Sequence, residues 1–583
     1  MHPAVRRLSC LFLPLLVAAG LRAQSAPAPA AQHNPNWWKN AVIYEIYPRS
    51  FQDSNGDGIG DLNGITSRLD YLQRLGINAI WLTPIYPSPQ VDFGYDISDY
   101  YSIDPQYGTL ADFDRLVAQA RKRNIGIIMD LVLNHTSDQH PWFRESASSR
   151  TNPKADWYMW HDAKYVNGHR EPPNNWLSVF GRSAWQWDPA RQQYYYHRFY
   201  IQQPDLNWNN PQVRKAMYDV ERFWIRHGVA GFRLDAITAL FEDPQDRDEP
   251  YILGPDGKPL LDAWGDKEVE STLTDNLPEV HDVLRQLRQV ADETTSRKVI
   301  LIGETYLDSV NDLRRMYGVH NDELELPMDM EVGFIKNLDV ARFRARINEA
   351  ETELNGDQPL FVFDNHDNHR WDRFVTDDHR IDLGRMLAAV LFASRDTAMM
   401  YYGDEIGMVT TVPTRKEDVR DPIGITGWPK EKGRDGERTP MQWDSGLDAG
   451  FSTAAKTWLP IPPSYSTVNV AAEERDPDSI LHWYQHLIAL KKSDPALRSG
   501  QEIMLNTSDN SVLSWLRKSP DGEAVVVACN FTAQPQTVSF DLSAQGVHGQ
   551  RVKTLMRSPG DTSPASLRRI DLGPYGVYIG RVE

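Results

Sequence analysis

Cysteine is almost absent from this 583-residue chain, which has two, Cys10 and Cys529. Cys10 lies in a leader-like N-terminus, so the mature chain keeps one cysteine and cannot form an internal disulfide. An excess of basic side chains is also missing: 62 Lys and Arg face 80 Asp and Glu, for a formal net charge of -18. That balance speaks against nucleic acid and anionic membranes as partners and is compatible with a neutral or cationic small substrate. The one long apolar run, Leu8 to Leu21, contains Pro14 and falls short of the roughly 20 residues a membrane anchor needs. No glycine-rich phosphate loop and no internal repeat is visible. Arg6 and Arg7 before the apolar run, and Leu21-Arg22-Ala23 after it, read as an export signal over residues 1–23, cleaved before Gln24. The expectation is a periplasmic or extracellular protein with no membrane anchor in the mature chain. Leu21 is larger than the small residue usually found at a cleavage site. Residues 24–35, with their Ala-Pro repeats, read as a tether.

What is present is a long alternation of short apolar runs and amphipathic stretches. Strands are expected at Ala41 to Tyr47, Ile77 to Leu82, Ile125 to Val132, Gly231 to Ile237, Val299 to Glu304, Leu324 to Met330, Leu360 to Phe363 and Ala398 to Tyr402. Helical patterns such as Leu110 to Arg123, Val213 to His227 and Val280 to Glu293 lie between them. Such alternation implies a parallel sheet, and eight units imply a closed (β/α)8 barrel of the α/β class. An open doubly wound sheet competes but lacks its phosphate loop. The barrel is expected over 36–135 and 211–499. The aromatic-rich stretch 136–210, too long for a loop, is expected to form an inserted subdomain after strand 3. A second irregular excursion runs from Thr410 to Ser466. Beyond residue 500 pure alternation, as in Val512 to Leu516 and Ala524 to Ala528, predicts a C-terminal all-β domain over 500–583.

Charged groups gather at the ends of the expected strands: Asp130 with Asn134 and His135, Arg233 with Asp235, Glu304, and Asn365-His366-Asp367. In Gly231-Phe232-Arg233-Leu234-Asp235, period two puts Arg233 and Asp235 on one face, where the cation favours an ionised carboxylate. A structural ion pair at a sheet rim is the plainer reading. Three carboxylates at one barrel mouth suit glycoside chemistry, which needs a nucleophile, an acid/base and a stabiliser of an oxocarbenium-like state.

The segments Asp-Leu-Val-Leu-Asn-His (130–135), Gly-Phe-Arg-Leu-Asp-Ala (231–236), Ile-Gly-Glu-Thr (302–305) and Phe-Asp-Asn-His-Asp (363–367) resemble the conserved regions of glycoside hydrolase family 13, the α-amylase family. Gln203-Pro204-Asp205-Leu206-Asn207 and Arg438-Thr439-Pro440-Met441-Gln442-Trp443 resemble its branch of α-glucosidases and oligo-1,6-glucosidases. The resemblance implies Asp235 as nucleophile, Glu304 as acid/base and Asp367 as the third carboxylate. It implies that Arg233, His135 and His366 hydrogen-bond the reacting ring, that Asp92 and Tyr95 clamp its non-reducing end, and that Arg438 closes the pocket.

In Asp53-Ser54-Asn55-Gly56-Asp57-Gly58-Ile59-Gly60-Asp61, oxygen donors on alternate residues suit a hard cation such as calcium. The loop resembles the metal loop of the same branch, with Asp53, Asn55, Asp57, the Ile59 carbonyl and Asp61 as ligands to a structural ion; a metal-free turn is the alternative. No organic cofactor is expected. The expected activity is that of a retaining, exo-acting α-glucosidase on a small oligosaccharide or glucoside, with α-1,4 linkage favoured by the small Ala236 behind the nucleophile. A transglucosylase or a trehalose- or isomaltulose-forming isomerase on the same scaffold is the first rival, and a catalytically dead transporter-subunit homologue the second.

Overall fold

The computed structural model describes residues 34–583 apart from 263, 308, 376–377 and 550; the export signal and residues 24–33 of the tether lie outside the described residues. Seven parallel strands form one curled sheet: β1 (Val42–Ile46), β2 (Ala79–Leu82), β3 (Gly126–Val132), β4 (Gly231–Asp235), β5 (Ile300–Gly303), β6 (Leu326–Pro327) and β7 (Ala398–Tyr401). Their order in space is β6-β5-β4-β3-β2-β1-β7. The expected strand at Leu360 to Phe363 is not regular; it is a single stave that closes the ring between β6 and β7. Asp329 N–H donates to Leu360 O at 2.8 Å, Val362 N–H to Asp329 O at 3.1 Å, and Thr397 N–H to Pro359 O at 3.0 Å. Pro327 and Pro359 lack donors, which thins the ladder where the barrel closes.

Side-chain parity divides the barrel into two cores. Ile43, Ala79, Trp81, Ile128, Ile300, Ile302, Leu326 and Met399 point inward and fill the interior, with Trp38 plugging the floor. Val42, Tyr44, Ile80, Ile127, Phe232 and Leu234 point outward against the helices. Continuing the inward series toward the C-terminal strand ends gives Glu45, Asp130, Arg233, Asp235 and Glu304. The polar residues at the barrel mouth are thus the inward residues once the apolar layers stop. Gly231 is needed where β4 meets β5, since a Cβ there would lie 2.7 Å from the Ile300 carbonyl oxygen.

The helices follow their local signals. The helix α1 (Leu110–Lys122) starts at Thr109 in a reciprocal cap with Asp112 and buries Phe113, Leu116, Val117 and Ala120 at helical spacing. Such a cap is worth about 1 kcal/mol. Helix α2 (Pro211–Arg226) follows the Asn210 cap with proline at its first position, and α3 (Val280–Thr294) precedes β5.

The insertion holds a three-stranded sheet around Trp176, Trp185, Tyr194 and Tyr196. It leans on an excursion that the periodicity does not reveal, residues 242–279 between β4 and α3. Trp176 Nε1 donates to Arg247 O at 2.9 Å and Arg198 Nη1 to Thr274 O at 2.8 Å. The C-terminal domain is a five-stranded antiparallel sheet opening at Gln501–Leu505. It docks through buried donors on one helix end, with Trp515 Nε1 and Arg517 Nη1 both on Ala393 O at 3.2 and 2.8 Å. Cys529 is a buried, free strand residue. Among the described residues no helix is long and apolar enough to cross a membrane.

Candidate active site

The hub of the barrel mouth is Arg233, 1% exposed. Its guanidinium reaches Asp130 Oδ1 at 2.8 Å, Asp235 Oδ1 at 2.5 Å and also Glu304 Oε1. One cation thus serves three buried carboxylates, and it cannot hold all of them ionised. Burial pushes Asp235 up to about 7, against the pull of Arg233, and Asp130 up to about 6. Arg233 favours the ionised form of Asp235, as the alternation implies, but burial outweighs that pull and the carboxyl is raised. Glu304 is raised by burial and then by Asp235 and Asp367, again against Arg233. Its Oε2 accepts the Ala236 N–H at 2.8 Å, which fixes it across the end of β4. Asp130, Asp235 and Glu304 are all raised, so the group favours holding a proton; a proton on Glu304 would leave Asp235 as the anion, the division of labour that acid-assisted nucleophilic displacement needs.

Asp367 is treated in the opposite way. Burial alone would raise it, but His366, Arg434 and Arg438 together hold it well below the usual carboxylate range. Arg434 Nη1 and Arg438 Nη2 donate to its Oδ1 at 2.9 and 2.7 Å, and His366 Nε2 lies 3.0 Å from Oδ2. His366 is itself lifted to about 9: burial opposes its charge, and Asp367 and Glu45 overcome it. Asp367 is therefore favoured as an anion, in contrast to the raised Asp235 and Glu304.

These groups surround one cavity of about 540 Å³. Of the residues expected from the sequence, Asp92, Tyr95, His135, Asp235, Glu304 and Asp367 line it. Arg233, His366 and Arg438 stand behind the lining, at 1% exposure or less, and act on it through the carboxylates. Burial drops His135 to about 3, so it is a neutral hydrogen-bonding ring. Tyr95 OH donates to Asp130 Oδ2 at 3.0 Å and lies 2.8 Å from His366 Nε2, its ring stacked on that imidazole. The wall expected from Arg438 is made by Arg434, which the motifs did not single out. Its Nη2 donates to Asp92 Oδ1 at 2.8 Å and its Nε to Asp421 Oδ2 at 2.9 Å, so Asp92, Arg434 and Asp367 join across one end of the cavity. Phe180, Gln203 and Tyr306 are also among the lining residues. The only sequence signal for Arg434 was its place in a Gly-flanked loop just ahead of the Arg438 motif.

The loop expected to hold calcium is a set of Asx turns. Asp53 Oδ1 accepts from Asn55 N–H and Gly56 N–H at 2.9 and 2.7 Å, Asp57 Oδ1 from Ile59 N–H at 2.9 Å, and Asp61 Oδ2 from Ser54 N–H at 2.7 Å. Among the described residues no group of three or more His, Cys, Asp or Glu stands at metal-binding spacing. The donor set remains all oxygen, as a hard cation requires, and carboxylate oxygens that accept one amide keep further lone pairs.

A blind, carboxylate-ringed pocket at the C-terminal face of a parallel barrel defines a carbohydrate-active barrel enzyme of the glycosidase class. The family described as "Alpha amylase, catalytic domain" matches residues 45–500, and "Maltogenic Amylase, C-terminal domain" matches 503–579. The chain is 44% identical over 558 residues to a probable alpha-glucosidase of Rhizobium meliloti (strain 1021), covering 94% of this chain and 97% of that one. It is 37% identical over 586 residues to the oligo-1,6-glucosidase of Parageobacillus thermoglucosidasius, covering 94% and 99%. The crystal structure of the trehalulose synthase from Pseudomonas mesoacidophila MX-45 superimposes with a TM-score of 0.83 at 35% identity, covering 94% and 99%. The chain belongs to the α-amylase family, glycoside hydrolase family 13, and is a glycoside hydrolase similar to its α-glucosidases.

Proposed function

We propose that this protein is a retaining, exo-acting α-glucosidase that removes terminal α-linked glucose, with α-1,4 links preferred, from short oligosaccharides or glucosides. The observation that carries this reading is the closed end of the pocket. Asp92, Arg434 and Asp367 are linked across it by bonds of 2.8 and 2.9 Å, a bridge that supports a pocket for one terminal sugar over a cleft for a running polymer. In the reaction, Asp235 attacks the anomeric carbon while Glu304 gives its proton to the departing oxygen. Glu304 then takes a proton from water as that water displaces Asp235. Asp367, held anionic, offers acceptors to the reacting ring and favours the positive charge that develops there. Asp235 on β4 and Glu304 just beyond β5 are neighbours across the sheet, which suits the carboxyl spacing of about 5–5.5 Å used with retention. Proton NMR of early hydrolysis should show α-glucose appearing first. Initial β-glucose would overturn the mechanism.

The isomerase alternative draws support from the similarity to trehalulose synthase, since the same glucosyl-enzyme can pass its sugar to another sugar. Product chromatography on sucrose, maltose and trehalose separates the two: glucose release favours hydrolysis, and an isomeric disaccharide favours transfer. The Asp53–Asp61 loop, through Asp53, Asn55, Asp57, the Ile59 carbonyl and Asp61, is proposed to hold calcium in a structural role.

A further inference from the structure

Glu437 lies in the pocket wall beyond Asp367, yet none of the steps above uses it. The residue is 2% exposed, and its Oε2 is buried without a hydrogen-bond partner among the described residues. Beside it on that wall is His369, with Nδ1 3.6 Å from Oε2 and a side chain 57% exposed. The backbone beneath is rigid. Arg370 Nη2 donates to Glu437 O at 3.0 Å, and the adjoining Arg438 is tied to Asp367 and to His366 O.

The other polar groups of this wall are already engaged. Asn368 Nδ2 donates to Asn365 Oδ1 at 3.0 Å, Glu431 Oε1 accepts two backbone N–H groups, and Arg434 is divided among Asp92, Asp367 and Asp421. A buried carboxyl oxygen left without a partner is disfavoured unless a ligand supplies one. The reacting glucose is accounted for at the closed end, by Asp92, Arg434 and the three carboxylates. The exposed His369 sets the pair toward the solvent side of the same pocket, the side by which a departing sugar would leave.

We propose that Glu437, with His369 beside it, is a specificity-determining residue that hydrogen-bonds a hydroxyl of the sugar on the leaving-group side. The same contact would serve a sugar that accepts glucose in the reverse sense. Burial pushes the Glu437 carboxyl up to about 8, so at neutral pH it presents both an O–H donor and a carbonyl acceptor, a good match to a hydroxyl. The inference rests on the reading of the pocket as that of an α-glucosidase.

The test compares wild type, Glu437→Ala and Glu437→Gln on maltose and on p-nitrophenyl α-glucoside, whose leaving group carries no sugar hydroxyls. For Glu437→Ala, kcat/KM on maltose should fall about tenfold or more, and on the aryl glucoside by no more than about threefold. Transfer from the aryl glucoside to added glucose should fall with the maltose activity. Glu437→Gln, which keeps a donor and an acceptor in place, should recover most of the loss on maltose. An equal fall on both substrates, or no rescue by glutamine, would mean a structural role and overturn the inference. An active wild type with an unaffected Glu437→Ala would overturn it alone, and a wild type inert on both substrates would overturn the reading of the pocket with it.

Discussion

At the scale of single residues the site is governed by how one guanidinium is shared. Burial pushes Asp235 up to about 7 in the fold, above its ordinary value near 3.9. A carboxyl raised in this way keeps its proton longer folded than unfolded, so its contribution falls as pH rises from about 4 through about 7. Asp235→Asn should therefore raise the melting temperature at pH 8, have little effect at pH 4, and all but abolish turnover. A lower melting temperature at pH 8 would contradict the shared-charge account. The next residue carries a second prediction. Ala236 stands at φ 44° and ψ 38°, a left-handed conformation that a β-branched side chain resists at about 1–3 kcal/mol. Ala236→Val should lower stability, and its methyl groups should crowd an α-1,4 partner ring more than a flexible α-1,6 link. Because strain affects both substrates alike, the maltose to isomaltose ratio of kcat/KM is the clean readout. It should exceed one in the wild type and fall by about 10- to 200-fold in the variant. An unchanged ratio would place linkage choice elsewhere in the wall. The pairing of Arg233 with Asp235 was legible from period-two alternation. The left-handed backbone at Ala236 was not, because alanine carries no local sign of it.

At the scale of elements, the barrel strands and helices were legible because parity and helical spacing are local. The stave at Leu360 to Phe363 was not legible as irregular, because its thin pairing depends on where Asp329 and Thr397 fall. The first loop is an element held by others: Asp53 N–H donates to Phe451 O at 3.0 Å, and Ser452 Oγ donates to Asp53 Oδ2 at 2.5 Å. If calcium sits on this loop, it braces the Thr410 to Ser466 excursion that brings in Arg434. Chelation should then lower the melting temperature, and calcium should restore it by RT ln(1 + [L]/Kd), about 2.7 kcal/mol at a hundredfold excess over Kd. The same melting curve with and without chelator, for the wild type and for Asp57→Ala, would exclude a stabilising ion.

At the scale of the molecule, three long excursions from one barrel face build the pocket: the insertion, residues 242–279 and the Thr410 to Ser466 stretch. Arg198 on the insertion holds Asp275 at 2.8 Å as well as Thr274 O, so two of them share one wall. A mouth enclosed in this way and blind at the far end should release glucose alone from starch with viscosity hardly changed. Rapid thinning with mixed oligosaccharides would show that the far end opens to a chain.

The sequence by itself determined the alternation that curls into a barrel, the all-β tail, and the three carboxylates at strand ends, since each depends on neighbours a few residues away. It could not show which charges share a partner. Arg434 and Asp92 are separated by 342 residues, and Arg233 meets Asp130 across 103. Only the closed barrel and its excursions bring such groups within hydrogen-bond reach in a buried pocket. There, burial and distance rather than residue type hold the Asp367 carboxyl low and push that of Glu304 up.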